Sequence, residues 1–201
     1  MNFFKKIKIS VCLAMAITVL FSVISFAKTS NEIRSDVLTL HVLANSDSSI
    51  DQNLKLRVRD ALLSSGNEIF DGTTNVENAI QRITPQIPKL EKIAKEVITQ
   101  SGFNYDVKIT ISNDYFTTRT YENITLPAGI YKALRVVIGS GKGHNWWCVM
   151  FPAMCLPAAE SRQKIDDVLD KKETKLVEKN PKLEPRFKII EIIEQLKQNK
   201  K

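Results

Sequence analysis

The start of the chain constrains it most. Lys5, Lys6 and Lys8 precede an unbroken stretch of apolar or small residues, Ile9 to Phe26, that closes on Ser25-Phe26-Ala27. A basic start, an apolar middle and small residues at the exit are the three parts of a secretory signal peptide. The lysines stay with the cytoplasmic lipid face while the apolar run enters the bilayer. We therefore expect residues 1–27 to be a signal peptide cut between Ala27 and Lys28, leaving a secreted molecule that works outside the cytoplasm. The run is also close to the ~20 residues a membrane span needs, so a permanent anchor is the competing reading. Cys12 lies at the front of the apolar run rather than just after it, which argues against a lipid-anchored cysteine.

Removing the first 27 of the 201 residues leaves 174. A chain of that size buries ~70% of its unfolded surface and suits one domain with an appendage. Three of the 29 Lys and Arg lie in the leader, so the net charge falls from +7 to +4. The remaining basic residues are mixed with Asp and Glu, with no basic stripe interleaved with aromatics, so no nucleic-acid partner is expected. Of the 3 cysteines, Cys148 and Cys155 survive cleavage, and an even count in an exported chain points to a disulfide. The bridge would close a short loop, worth ~2.5 kcal/mol; two buried free thiols are the alternative. A zinc site would need four ligands, and beyond these cysteines only His41 and His144 are on offer. No metal and no cofactor are expected.

Periodicity sets the fold class. Asp36–Asn45 holds Val37, Leu38, Leu40, Val42 and Leu43, the near-continuous apolar run of a strand buried on both faces. Asn45-Ser46-Asp47-Ser48-Ser49 is turn and cap chemistry, with Ser48 and Asp51 a weak capping box. Ile50, Leu54, Val58, Ala61 and Leu62 then recur at helical spacing up to Gly66. Thr74 and Glu77 form a second capping box before Val76, Ala79, Ile80 and Ile83. Pro85 and Pro88 interrupt or restart the helix, and Ile87, Leu90, Ile93, Ala94, Val97 and Ile98 carry the stripe on. Tyr105, Val107, Ile109 and Ile111 alternate as a half-buried strand. Asn113-Asp114 reads as a turn into Phe116–Tyr121, which makes a hairpin. Ala133–Ile138 and Trp146–Phe151 are further strands, and the loop Gly139–Gly143 reads as a hairpin loop joining them. The expectation is an α+β domain over 28–160: one layered unit with a five-stranded mixed sheet and two or three packed helices. Residues 161–201 form a charged helical tail, whose last helix shows Ile189, Ile192, Ile193 and Leu196.

Few residues offer chemistry. Gly139-Ser140-Gly141-Lys142-Gly143 is not a phosphate loop: Val136 stands where its first glycine belongs, Gly143 where Ser or Thr should hold magnesium, and a strand follows instead of a helix. Four residues apart on a strand, His144 and Cys148 lie ~13 Å from each other, too far for a thiol–imidazole pair. His41 sits mid-strand among apolar neighbours, which suits a core histidine. An extracytoplasmic hydrolase acting on peptide or cell-wall material would have to use His41 with Asp47 or Asp51, in a cleft. Trp146 and Trp147 face opposite sides of their strand. One can fill the core while the other faces outward as a protein-binding anchor.

Three segments resemble the stage II sporulation protein R family. They are His41-Val42-Leu43-Ala44-Asn45-Ser46-Asp47-Ser48 with Asp51-Gln52-Asn53-Leu54-Lys55 and Val58-Arg59-Asp60-Ala61; Leu126-Pro127-Ala128-Gly129-Ile130-Tyr131-Lys132-Ala133-Leu134-Arg135-Val136; and Gly141-Lys142-Gly143-His144-Asn145-Trp146-Trp147-Cys148-Val149-Met150-Phe151-Pro152. The third is the most specific. The resemblance covers roughly residues 34–160. It implies an intercellular signal of endospore-forming bacteria, made in the forespore and exported into the space between forespore and mother cell. There it activates a membrane-embedded aspartic protease that processes the inactive precursor of the mother-cell sigma factor E. It implies no catalytic residues, and a membrane contact only through the leader before cleavage.

Two of these segments hold polar or glycine-rich loops, Asn45–Gln52 and Gly139–Asn145, each following a strand. If those strands run in the same direction in one sheet, both loops emerge at one edge, where binding sites are commonly built. Asn45, Asp47 and Gln52 would then offer hydrogen bonds, Lys142 a charge, and the outward one of Trp146 and Trp147 an apolar anchor.

Overall fold

A computed structural model describes residues 3–66, 69–70, 73–121, 124–152, 169–177 and 184–198. The elements in order are α1 (Phe3–Ser35), β1 (Leu38–Leu43), α2 (Ser49–Gly66), α3 (Val76–Ile83), a 3-10 turn (Thr84–Gln86), α4 (Ile87–Gln100), β2 (Val107–Phe116), β3 (Arg119–Tyr121), β4 (Ile124–Leu126), β5 (Gly129–Ile138), β6 (Asn145–Phe151), α5 (Lys171–Val177) and α6 (Glu184–Gln198). They divide into two compact units: residues 1–33, 117–129 and 172–201 in one, and 34–116 and 130–171 in the other.

The second unit is built on a four-stranded sheet in the order β2-β5-β1-β6. β1 runs parallel to β5, with His41 opposite Arg135, and antiparallel to β6. One face carries the helices. Leu38, Leu40 and Val42 of β1, Leu134, Val136 and Ile138 of β5, and Cys148 and Met150 of β6 share one core with Leu54, Val58 and Leu62 of α2, Ala79 and Ile83 of α3, and Leu90, Ala94 and Ile98 of α4. These are the residues that recur at period two in the strands and at three to four in the helices. Pro85 sits in the 3-10 turn, where its missing N–H breaks no helical bond, and Pro88 opens α4. The cap of α3 is Asn75 rather than Thr74: its side chain accepts from the Asn78 amide at 2.9 Å.

The architecture is α+β, but among the described residues the expected five-stranded sheet is a sheet of four strands and a separate pair, β3-β4. Asn113-Asp114 does not turn. β2 runs straight through it, because the Asp114 carboxylate lies in the sheet, 3.1 Å from His41 Nδ1 and 3.4 Å from Arg135. A residue whose type favours turns is held in a strand by partners far away in sequence. The loop after β5 is likewise no hairpin. β1 lies between β5 and β6, so Gly139–His144 crosses over the end of β1.

The first unit holds α1, the β3-β4 hairpin, α5 and α6. Most of α1 is exposed, but Phe26, Ser30 and Ile33, spaced four and three apart, are buried. The Phe26 ring meets the Phe187 ring of α6 edge to face, with centroids 5.1 Å apart. The expected cleavage site, Ala27–Lys28, falls inside α1. β3 and β4 pair antiparallel, with Thr120 opposite Thr125 and their hydroxyls 3.1 Å apart.

Candidate functional site

Parallel pairing of β1 and β5 sends their following loops out at one end of the sheet. There the crossing loop docks onto residues 44–48. The Gly143 amide donates to the Ala44 carbonyl at 2.9 Å and the Lys142 amide to the Asn45 carbonyl at 3.3 Å. Ser140 donates its hydroxyl to the same Asn45 carbonyl at 2.7 Å and its amide to Asn45 Oδ1 at 3.0 Å. The approach is too close for side chains at two positions. A Cβ on Gly143 would stand 2.2 Å from the Ser46 carbonyl oxygen, and one on Gly139, at φ +58°, 2.4 Å from Asn45 Oδ1.

Helix α2 fixes the same loops from below. Asp51 Oδ2 accepts from Asn45 Nδ2 at 3.0 Å and from the Ser46 hydroxyl at 2.5 Å, and the Asp51 amide donates to the Ser48 hydroxyl that caps the helix. Gln52 Nε2 donates to the Ser46 carbonyl at 2.9 Å. Lys55 Nζ donates to Gln52 Oε1 and, at 3.0 Å, to the His144 carbonyl. Asp51 and Lys55 are buried. Burial pushes the Asp51 carboxyl up, but its hydrogen bonds from Ser46, Asn45, Tyr105 and Ser48 outweigh that and hold it below the usual carboxylate range. Burial also pushes the Lys55 ammonium below its usual range. Tyr105, whose hydroxyl bonds Asp51, is pushed up by burial and by that carboxylate.

On the outside of this lattice, Asp47 Oδ1 takes both the His144 amide and the His144 Nδ1 edge at 2.5 Å. The amide bond, then the ring bond, holds the Asp47 carboxyl low. With Nδ1 turned to Asp47, the imidazole presents Nε2 outward; its side chain is 81% exposed. Lys142 is exposed beside it.

The expected residues Asn45, Asp47, Gln52 and Lys142 therefore lie on one built edge. The two tryptophans take opposite faces, and both are half-buried. Trp146 lies under the Arg59 guanidinium, 4.6 Å from its ring centroid, and Trp147 meets Phe116 edge to face at 4.9 Å. Cys148 is buried in the core; Cys155 lies outside the described residues.

His41 is not brought to Asp47 or Asp51. It lies 4% exposed on the sheet face opposite α2, α3 and α4, between Asp114 and the side-chain amide of Asn145, which is 3.2 Å from the same Nδ1. Its ring stands edge to face on Phe116 at 4.4 Å, and among the described residues Nε2 has no hydrogen-bond partner. Burial dominates: against the pull of Asp114, and helped by Arg135, it lowers the imidazole pKa to about 4. Sequence reasoning missed Asp114, Arg135 and the Asp47–His144 pair. The readable signal was a charge inside each of two strands that otherwise alternate or run apolar.

The fold and the site together define an α+β module with two interlocked loops at one sheet edge and a core imidazole held neutral. The comparisons then specify it. A model of the stage II sporulation protein R family matches residues 34–161, and the chain belongs to that family. It is 34% identical over 143 residues to stage II sporulation protein R of Bacillus subtilis (strain 168), covering 71% of this chain and 64% of that protein. The chain thus spans less than two thirds of the length of that relative. No solved structure matches it. Membership of this family assigns the chain a role in sporulation.

Proposed function

We propose that the chain is an exported, non-enzymatic signalling protein that activates a membrane-embedded aspartic protease, so that the protease processes the mother-cell sigma-E precursor. The leader 1–27 carries the domain across the membrane into the space between forespore and mother cell, and cleavage after Ala27 releases it from Lys28 onward. The observation that supports this reading best is the interlocked edge. The residues that build it, Asn45, Ser46, Asp47, Asp51, Gln52, Lys55 and Gly139–Asn145, are largely those that carry the family resemblance, and their hydrogen bonds fix the loops in one arrangement. Loops locked before binding lose little conformational entropy when a partner docks. The test is co-expression with the protease and the sigma precursor. Precursor cleavage should depend on this chain; cleavage of equal extent without it would reject the proposal.

Export also supports a Cys148–Cys155 bridge. The native exported protein should resist alkylation at both thiols until a reductant is added, and labelling of both without reductant would count against the bridge.

A further inference from the structure

Helix α6 has two apolar faces. Phe187 and Ile190, three apart, are buried. Ile189, Ile192 and Leu196, at spacings of three and four, form a second stripe on the other side and are 42%, 49% and 58% exposed. Charge is sorted along the same axis. Lys188 and Lys197 extend outward, with side chains 68% and 65% exposed, while their partners Glu191 and Glu194 are only 16% and 12% exposed. An outward face of large aliphatic residues edged by lysines, over a covered acidic side, is the pattern of a helix that lies in a bilayer interface.

What stands beside α6 says which surface covers it. The apolar run of α1, from Ile9 to Phe26, is about 27 Å long as a helix, close to the ~30 Å hydrocarbon core. Side chains along it are exposed, from Ile9 at 54% to Ile24 at 63%. Lys5, Lys6 and Lys8 mark its cytoplasmic end, so Phe26 marks the level at which α1 leaves the far side of the membrane. Phe26 is the residue that packs on Phe187. The ring contact therefore sets the start of α6 at the height of the headgroups.

We propose that, in the chain with its leader in place, α6 lies along the outer membrane surface beside the exit of α1. Ile189, Ile192 and Leu196 enter the boundary between headgroups and acyl chains, and Lys188 and Lys197 reach anionic phospholipid headgroups. This contact goes beyond the signalling role and does not depend on it. Cleavage after Ala27 removes Phe26 and with it the ring that seats α6, so the contact belongs to the tethered form.

The full chain, reconstituted in phosphatidylcholine vesicles containing phosphatidylglycerol, tests this with a benzophenone side chain carried in turn in place of Ile192, Leu196 and Glu191. The first two positions are exposed, so the fold is kept; an unchanged circular dichroism melt checks it. Illumination should yield lipid adducts at the Ile192 and Leu196 positions, at least about tenfold above the Glu191 position, and yields should drop several-fold in vesicles of phosphatidylcholine alone. Adducts mainly to a second copy of the chain would make the stripe a dimer face and overturn the proposal. So would equal lipid labelling at all three positions, or none.

Discussion

The protein holds two histidine–aspartate pairs, and they behave oppositely. His41 and Asp114 meet at 3.1 Å with side chains only 5% and 12% exposed; His144 and Asp47 meet at 2.5 Å with side chains 81% and 54% exposed. In the buried pair, desolvation outweighs the attraction of the carboxylate and lowers the His41 pKa to about 4, so the imidazole is neutral at ordinary pH. It acts there as a shaped aromatic wedge against Phe116. In the exposed pair nothing comparable opposes the hydrogen bonds, and Asp47 becomes the clamp that joins the crossing loop to the loop after β1. The same two side chains build a core in one place and a surface in the other, and solvent decides which.

Removing His41 should have the largest effect on the fold. His41→Ala takes a packed ring from between Asp114, Asn145 and Phe116 and should cost about 3 kcal/mol. By thermal melt of the full chain in detergent, that is roughly 10 °C. His144→Ala and Asp47→Ala should leave the melt almost unmoved. A drop for either as large as that for His41→Ala would erase the distinction between the pairs.

The pH dependence separates them further. The folded pKa of His41, about 4, lies below the ordinary imidazole value of 6.5, so between those values the unfolded chain binds more protons. Stability therefore rises with pH across that window and is lost as pH falls from about 6.5 towards 4, on the order of 3 kcal/mol in all. Asp47 and Asp51, held below 3.8, contribute stability that is present above 3.8 and lost only at lower pH, which keeps the two windows apart. Chemical denaturation at pH 4.5 and 6.5 should show the slope in the parent chain and in His144→Ala, and its absence in His41→Phe. A slope that survives in His41→Phe would place the titrating group elsewhere.

A smaller effect is expected at the loops. Gly143→Ala forces a methyl against the Ser46 carbonyl, 2.2 Å away. It should cost about 2 kcal/mol or open the loop contact. Hydrogen exchange checks it: the Gly143 and Lys142 amides, bonded to residues 44 and 45, should lose protection while the β1 amides keep theirs. Protection lost equally in both would mean that the loops are part of the core and not a clamp upon it.

Much of this was legible in the sequence. The apolar run of β1, the stripes of α2 and α4 and the proline pair between α3 and α4 follow from local periodicity and local steric rules. The convergence of the two loops followed as soon as β1 and β5 were taken to run in the same direction, as they do. What failed was set by distant partners. Asn113-Asp114 has the composition of a turn, but Asp114 is kept in a strand by His41 and Arg135, 73 and 21 residues away. The glycine loop looked like a hairpin because nothing local shows that β1 slots between β5 and β6. Ile189, Ile192 and Leu196 mark α6 by their period, but nothing local shows that they stay exposed. Neither tryptophan stands fully outward, because Arg59 lies over one and Phe116 against the other.

The most direct test of the interlocked edge as the signalling surface is sigma precursor processing by a Lys142→Glu variant. Lys142 is exposed and contributes only its backbone amide to the clamp, so export and the thermal melt should be unchanged. Processing should fall at least tenfold. Full processing by a Lys142→Glu protein that is exported and folded like the parent would contradict the assignment of that edge.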